Sequence, residues 1–198
     1  VELHRDRGIS VSVYYDQQKG TASTNDTSAD ALQETVRAAC DIAKSTQADE
    51  CAGLADATLM ADNMPDLALC HNWDLSVSDA INNARDCETT ARAMDERIKN
   101  SDGASVSTHI GAFVYGNSHG FVGAYPSSRH SIGCTLIAEH LGEMQRDYSY
   151  TVHRNPEELA SFNWVAEQAA TRTLQRLGAR QLPTCQSPIL FSADVARG

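Results

Sequence analysis

Seven histidines are the side chains of this sequence that could most readily bind a metal ion or transfer a proton. None of them shows the spacing of a metal-binding motif, and none is followed directly by glutamate. A structural or solvent-exposed role is therefore favoured for each, and we predict neither a catalytic residue nor a metal site in this chain. The histidines are His4, His71, His109, His119, His130, His140 and His153.

Two polar pairs and one turn histidine are the candidates for a substrate groove. Arg129-His130 and Arg146-Asp147 fall within predicted strands, and His119 lies in a glycine-flanked turn. The alternative for Arg146-Asp147 is a buried pair or a surface ion pair, which would contribute under about 1 kcal/mol. Turn chemistry alone also explains His119.

The cysteines do not indicate nucleophilic or disulfide chemistry. Six of them are widely scattered in a 198-residue chain, which is too long to need covalent cross-links, and no single one stands out as a nucleophile. Reduced thiols in a cytoplasmic protein are the favoured interpretation. They are Cys40, Cys51, Cys70, Cys87, Cys134 and Cys185.

Charge and hydropathy argue against two classes of partner. The net charge is −10, which disfavours nucleic acid and anionic membrane surfaces. The longest apolar runs are far shorter than the ~20 residues that span a bilayer. We therefore expect no membrane association and consider nucleic-acid binding unfavourable.

The candidate residues are positioned by a β-rich stretch, residues 103–154. Short runs of alternating polarity predict an antiparallel meander of four or five strands. Turn residues punctuate it at 116–120, 125–128 and 141–143.

Helical and strand patterns flank the meander. A strand is predicted at Val1 and Leu3, then a hairpin over residues 8–24 with its turn at 17–20. Helices are predicted at 28–45, capped by Ser28, and at 78–100, capped by Ser78. Loop-like residues 46–77 separate these two helices.

The second half of the chain adds one long helix and one strand. A helix is predicted at 163–177 and a strand at 188–192, followed by the start of another helix. The predicted fold class is α+β, a curved antiparallel sheet packed against long helices. The strand at 188–192 would open a second, truncated domain.

Short phrases along the whole chain resemble the PmbA (TldE) branch of the TldD/PmbA family, once called modulators of DNA gyrase. The similarity runs in order through all 198 residues. The phrases are GISVSVY (8–14), KGTAS (19–23), CAGLAD (51–56), GNSHG (116–120), SRHS (128–131), IAE (137–139), MQRDYSY (144–150) and FSADVA (191–196).

The resemblance implies an architecture and a role. Residues 1–182 would form the family's N-terminal domain without its first segment, and residues 183–198 the start of the C-terminal domain. TldD subunits carry a His-Glu-x-x-x-His zinc motif, whereas PmbA subunits lack the zinc histidines. The chain would thus be a non-catalytic subunit of a TldD–TldE metalloprotease that degrades or matures unfolded peptides, such as a microcin precursor or an antitoxin. Zinc is expected in the TldD-like partner and no cofactor in this chain.

Two other functions remain open. The chain could be a binding protein that modulates DNA gyrase or a regulatory protein without proteolysis, as the family's older name suggests. It could also be a structural domain with no activity of its own.

Overall fold

The computed structural model describes residues 1–61 and 63–196 and has the predicted α+β fold. Two 3₁₀ turns, Ala57–Leu59 and Pro156–Glu158, supplement the regular elements. These elements are β1 (Ile9–Tyr15), β2 (Gln18–Thr24), α1 (Ala29–Ser45), α2 (Val77–Ala93), β3 (Ile98–Gly116), β4 (Val122–His140), β5 (Glu143–His153), α3 (Phe162–Gln175) and α4 (Ala193–Ala196). None of the helices described is long and apolar enough to cross a bilayer.

The chain divides into two compact units. The first contains Val1–Leu67 and Phe113–Tyr125, and the second contains Ala68–Ala112 and Pro126–Gly198. Strands β3 and β4 therefore contribute residues to both units.

A β-hairpin carries helix α1 in the first unit. Asp16 and Gln17, with φ of 47° and 64°, form the turn between β1 and β2, so the predicted hairpin is confirmed but its turn is residues 16 and 17 rather than 17–20. Two consecutive positive φ values match the twist of a tight antiparallel hairpin. Gly20 of β2 lies directly against the backbone of α1 at Ala39 and Ala43, which leaves no room for a larger residue.

The apolar repeat of α1 predicts a buried stripe of Leu32, Val36, Ala39, Ile42 and Ala43, and this prediction is partly wrong. Ala39 and Ala43 are buried as expected, together with Thr35. Val36 and Ile42 are 43% and 45% exposed. The helix packs closely on the hairpin through its small residues, and this contact turns the larger side chains away. Ser28 caps α1 as predicted, since its hydroxyl oxygen accepts a hydrogen bond from the amide of Ala31.

A three-stranded antiparallel sheet in the order β3-β4-β5 forms the second unit's scaffold. The register of β4 with β5 runs from His130 opposite His153 to His140 opposite Glu143. The meander is thus three long strands rather than four or five shorter ones.

One face of this sheet carries the hydrophobic core. Even-numbered residues of β4 point toward helices α2 and α3, because successive side chains of a strand alternate between faces. Alanines on both helices allow close packing against the sheet. The core comprises Ile98, Ile132, Cys134, Leu136 and Ala138 of the sheet with Cys87, Ala91, Val165, Ala166, Ala169 and Ala170 of the helices.

The second predicted helix is too long at its C-terminal end. It is capped by Ser76 rather than Ser78 and ends at Ala93, and β3 begins at Ile98. Asp95 accounts for the break, because its carboxylate accepts hydrogen bonds from the amide and guanidinium of Arg97 and fixes a turn. Gly103, with φ of 99°, lies inside β3 rather than at a helix end.

The turn predicted at residues 125–128 is also wrong, because these residues continue β4. Pro126 cannot donate a backbone hydrogen bond, but β5 ends opposite His130 and leaves no β5 partner for Pro126. The turns at 116–120 and 141–143 are confirmed, with Leu141 and Gly142 at positive φ.

The strands predicted at both ends of the chain do not form. Val1 and Leu3 are exposed and belong to no regular element, and the same holds for Pro188–Ser192. A strand requires a neighbour that accepts its backbone hydrogen bonds. No described strand pairs with either segment, although α4 follows the second as predicted.

Candidate functional site

His130 is a fully buried residue of β4. Its Nε2 atom donates a hydrogen bond to the carbonyl oxygen of His71 over 2.8 Å, and its Nδ1 atom lies 3.4 Å from the hydroxyl of Thr108. The ring of Trp73 meets it edge-on, with centroids 5.5 Å apart. Every polar atom of the imidazole has a partner, which is the arrangement of a structural histidine.

Ser128 completes the same buried polar cluster. Its hydroxyl accepts a hydrogen bond from the amide of His71 and donates one to the carbonyl oxygen of Arg154, both over 2.8 Å. Its own amide donates to the carbonyl oxygen of Leu69. Ser128 and His130 thus tie the segment before α2 to the edge of β4, where β5 no longer pairs.

Arg146 and Asp147 occupy opposite faces of β5. Arg146 is exposed and pairs with Asp102, with its Nε atom 2.5 Å from the carboxylate. The side chain of Asp147 is 13% exposed and pairs with Arg172 of α3 at 3.8 Å and with Arg176, which caps the C-terminal end of α3, at 3.4 Å. These contacts are cross-element ion pairs, and the one at Asp147 holds α3 to the sheet.

The two predicted pairs are not brought together. Arg146 and Asp147 lie opposite Ile137 and Leu136, whereas His130 lies opposite His153. Six positions along β4 separate Leu136 from His130, which is roughly 20 Å at the rise of an extended strand.

His119 is exposed in the turn between β3 and β4 and belongs to the first unit. Its amide donates to the side chain of Asn117. The pKa of the neighbouring Asp56 is lowered, mainly by a hydrogen bond from the amide of Thr58 and to a smaller extent by the charge of His119. Contact between a substrate and any of the five candidate residues remains a prediction.

The sheet face away from the helices is exposed, and sequence reasoning did not identify it as a surface. We call it the open face. Tyr148 and Tyr150 of β5 are 48% and 47% exposed, with their rings stacked at a centroid distance of 6.1 Å. The open face comprises Ser105 and Ser107 of β3, Arg129, Ser131, Gly133, Thr135 and Ile137 of β4, and Tyr148, Tyr150 and Val152 of β5.

Small residues in β4 leave a shallow depression along the centre of the open face, next to the tyrosines of β5. Gly133 has the Ser105 hydroxyl on one side and the Tyr150 side chain on the other. The hydroxyls of Ser107 and Ser131 are 2.7 Å apart. The alternation of tyrosines at even positions of β5 was the sequence signal for this surface.

The outer edge of β3 borders the open face and has few features that block strand pairing. No Asp, Glu, Lys or Arg occurs between Asp102 and Arg129, and Pro126 lies on β4 rather than on β3. Natural sheets protect edge strands with charges and prolines, because an unpaired edge offers backbone donors and acceptors to any extended chain. The edge of β5, by contrast, carries Glu143, Arg146 and Asp147. The edge of β3 is therefore suited to bind an extended peptide as an added strand.

The residues that the structure describes do not form a metal site. Among residues 1–61 and 63–196, no three His, Cys, Asp or Glu side chains lie where they could bind one ion together.

Two family models match the chain. Residues 70–177 match the PmbA/TldA metallopeptidase central domain, and residues 1–43 match the PmbA/TldA metallopeptidase domain 1. The predicted boundary between residues 182 and 183 stays a prediction.

Curated relatives match over the full length of the chain. It is 43% identical to a metalloprotease PmbA of Escherichia coli O157:H7 and 45% identical to a metalloprotease PmbA homolog of Haemophilus influenzae strain ATCC 51907 / DSM 11121 / KW20 / Rd. The chain covers 44% of each relative, so it spans less than half of their length.

A solved structure has the same fold. It is a protein described as a modulator of DNA gyrase from Bacteroides thetaiotaomicron VPI-5482, with a TM-score of 0.78 and 23% sequence identity. The match covers 88% of this chain and 40% of the other.

Proposed function

Because the chain belongs to the PmbA/TldD metallopeptidase family, we propose that it is part of the PmbA/TldE-like, non-catalytic subunit of a heteromeric TldD–TldE zinc metalloprotease. A TldD-like subunit supplies the zinc ion, the general base and the attacking water. This subunit shapes the chamber and holds unfolded or extended peptides, such as a microcin precursor or an antitoxin, in the cytoplasm.

The outer edge of β3 from Gly103 to Gly116, which carries no Asp, Glu, Lys or Arg, is the observation that carries the role of this chain. An extended peptide can continue the sheet there through backbone hydrogen bonds, which do not depend on the peptide's sequence. Sequence-independent binding suits a protease that acts on unfolded chains. The hydroxyls of Ser105 and Ser107 on the open face of β3 lie beside that edge and offer contacts to alternate side chains of the peptide.

The division of labour with a partner is supported by residues 191–196. Their sequence, FSADVA, resembles the PmbA version of the segment that carries the zinc histidines in TldD subunits.

Reconstitution of the whole complex tests the proposal. The full-length protein would be produced with the TldD-like protein of the same cell, and co-elution, zinc content and cleavage of an unstructured peptide would be measured. We expect one zinc ion per heterodimer and no cleavage after substitution of the partner's zinc histidines. Zinc-dependent cleavage by the PmbA-like protein alone would contradict the proposal.

A variant pair tests the β3 edge within that complex. Val106→Pro removes one backbone donor from the strand and should weaken peptide binding while co-elution persists. Ala48→Pro, in a loop of the first unit, is the matched control. Equal peptide affinity of both variants would remove the edge from the proposal.

A second candidate function is modulation of DNA gyrase without proteolysis, which the description of the Bacteroides protein suggests. The net charge of −10 disfavours direct binding to DNA, so such a protein would contact gyrase itself. A complex with gyrase and none with the TldD-like protein would favour this candidate.

A further inference from the structure

The open face ends in two arginines and a histidine, namely Arg129, Arg154 and His109. The register of β3 with β4 follows from two contacts, Ser107 with Ser131 and Thr108 with His130. One further step along both antiparallel strands places His109 opposite Arg129.

Arg154 extends this row on the other side of β4. His153 lies opposite His130, so the next position of the chain, Arg154, comes opposite Arg129. The hydrogen bond from the Ser128 hydroxyl to the Arg154 carbonyl oxygen keeps it beside β4 after β5 has ended. His109, Arg129 and Arg154 are all exposed and belong to the second unit. We call these three residues the cationic row, after its two arginines.

The two arginines have no acidic partner among the residues that the structure describes. The ion pairs of arginine formed there use other residues, namely Arg92, Arg97, Arg146, Arg172 and Arg176. Two arginines opposite each other on neighbouring segments repel, and the net charge of −10 on the whole chain does not cancel that local repulsion. The local charge therefore favours an anionic ligand against the field of the rest of the chain.

We propose that the cationic row binds a carboxylate of the extended peptide, either an acidic side chain or the C-terminal carboxylate. The inference rests on the proposed function, because it assumes that a peptide lies along β3. His109 is on the edge strand itself, and Arg129 lies directly behind it on the open face. A guanidinium donates two parallel hydrogen bonds to one carboxylate, which a lysine cannot do. The row thus fixes where the peptide's negative charge lies along the edge.

The experiment compares three short, unstructured peptides on the full-length heteromeric complex, with the partner's zinc histidines substituted so that no peptide is cut. The first peptide has one central glutamate and an amidated C-terminus, the second has glutamine and a free C-terminus, and the third has glutamine and an amide. Affinities are measured by fluorescence anisotropy with an uncharged dye.

We expect at least one carboxylate peptide to bind about fivefold more tightly than the neutral peptide, as for one exposed ion pair. The first two peptides distinguish the side-chain and terminal sources of the carboxylate. The Arg129→Gln/Arg154→Gln variant should abolish the preference. The Arg37→Gln/Arg85→Gln variant, which has the same change in net charge on exposed helix positions, should retain it.

The other outcomes contradict either the carboxylate site or the proposed function. Equal affinity for all three peptides, or a preference that survives in Arg129→Gln/Arg154→Gln, overturns the carboxylate site. If the unmodified complex still cleaves the peptides in that case, the proposed function stands. If the complex neither binds nor cleaves any of the peptides, the proposed function fails and the carboxylate site fails with it.

Discussion

The Nε2 atom of His130 lies 2.8 Å from the carbonyl oxygen of His71, and this buried contact joins two segments 59 residues apart in sequence. It fixes the imidazole as a hydrogen-bond donor in the interior of the second unit. His130 was a candidate for a substrate groove, and the structure instead places it in the buried, fully hydrogen-bonded environment of a structural histidine.

Replacement of His130 by alanine should therefore destabilise the second unit. The change leaves the His71 carbonyl oxygen without its donor and opens a cavity beside Trp73. We expect a loss of about 3 kcal/mol in the free energy of unfolding. Urea unfolding of the full-length protein, followed by tryptophan fluorescence, measures it.

His119→Ala is the matched control, since His119 is exposed in a turn, and it should change stability by less than about 0.5 kcal/mol. Equal stability of the two variants would show that the buried hydrogen bonds of His130 contribute nothing net.

At position 20 the structure has room for glycine only. A Cβ atom there would overlap the backbone of α1 at Ala39 and Ala43, which cannot move aside as a side chain can. Gly20→Ala should destabilise the hairpin and α1 by more than about 2 kcal/mol. Faster hydrogen exchange in β1, β2 and α1 is the expected result.

Gly53→Ala is the control, because nothing lies within 4 Å of a Cβ atom at that position. If Gly20→Ala exchanged no faster than Gly53→Ala, the close approach of β2 to α1 would be wrong.

Local signals predicted much of this fold, and long-range contacts account for the errors. Ser28 and the turn at Leu141-Gly142 are local features, and both were predicted correctly. The end of α2 was predicted wrongly, because residues 94–100 fit a helical repeat as well as a strand. Asp95 and the pairing of β3 with β4 decide between the two, and neither is visible as a periodicity.

The candidate site was less predictable than the fold. Arg129 and His130 are adjacent in sequence, and alternation places the first on the open face and the second in the core. Which face is buried depends on where α2 (Val77–Ala93) and α3 (Phe162–Gln175) pack, and both helices are distant from these two residues in sequence. The cationic row needs three segments in register, and no spacing within the sequence encodes that.

The six cysteines should differ sharply in reactivity toward an alkylating reagent. Cys51 and Cys185 are exposed, whereas Cys87 and Cys134 are buried in the core. The hydrogen bond with Cys87, together with burial, raises the pKa of the Cys134 thiol and disfavours the reactive thiolate. Mass spectrometry after iodoacetamide treatment should show labelling of Cys134 on the order of 100-fold slower than that of Cys51.

Labelling in concentrated urea is the control, and there all six cysteines should react. Rapid labelling of Cys134 in the native protein would mean that the packing of α2 on β4 opens easily.

Asp95 should make stability depend on acid pH. Its carboxylate accepts hydrogen bonds from the side chain and the amide of Arg97, and these hold its pKa well below the ordinary value. A carboxyl group whose pKa is lower in the folded than in the unfolded state stabilises the fold above the unfolded pKa of about 3.9. That contribution is lost as the pH falls toward the folded pKa, because protonation then costs the native hydrogen bonds.

The stability difference between the natural protein and Asp95→Asn should thus be constant above about pH 5 and shrink below about pH 4. Urea midpoints at a series of pH values measure it, with Glu96→Gln as the neighbouring control. A difference that grew on acidification would mean that the hydrogen bonds from Arg97 do not favour the ionised carboxylate.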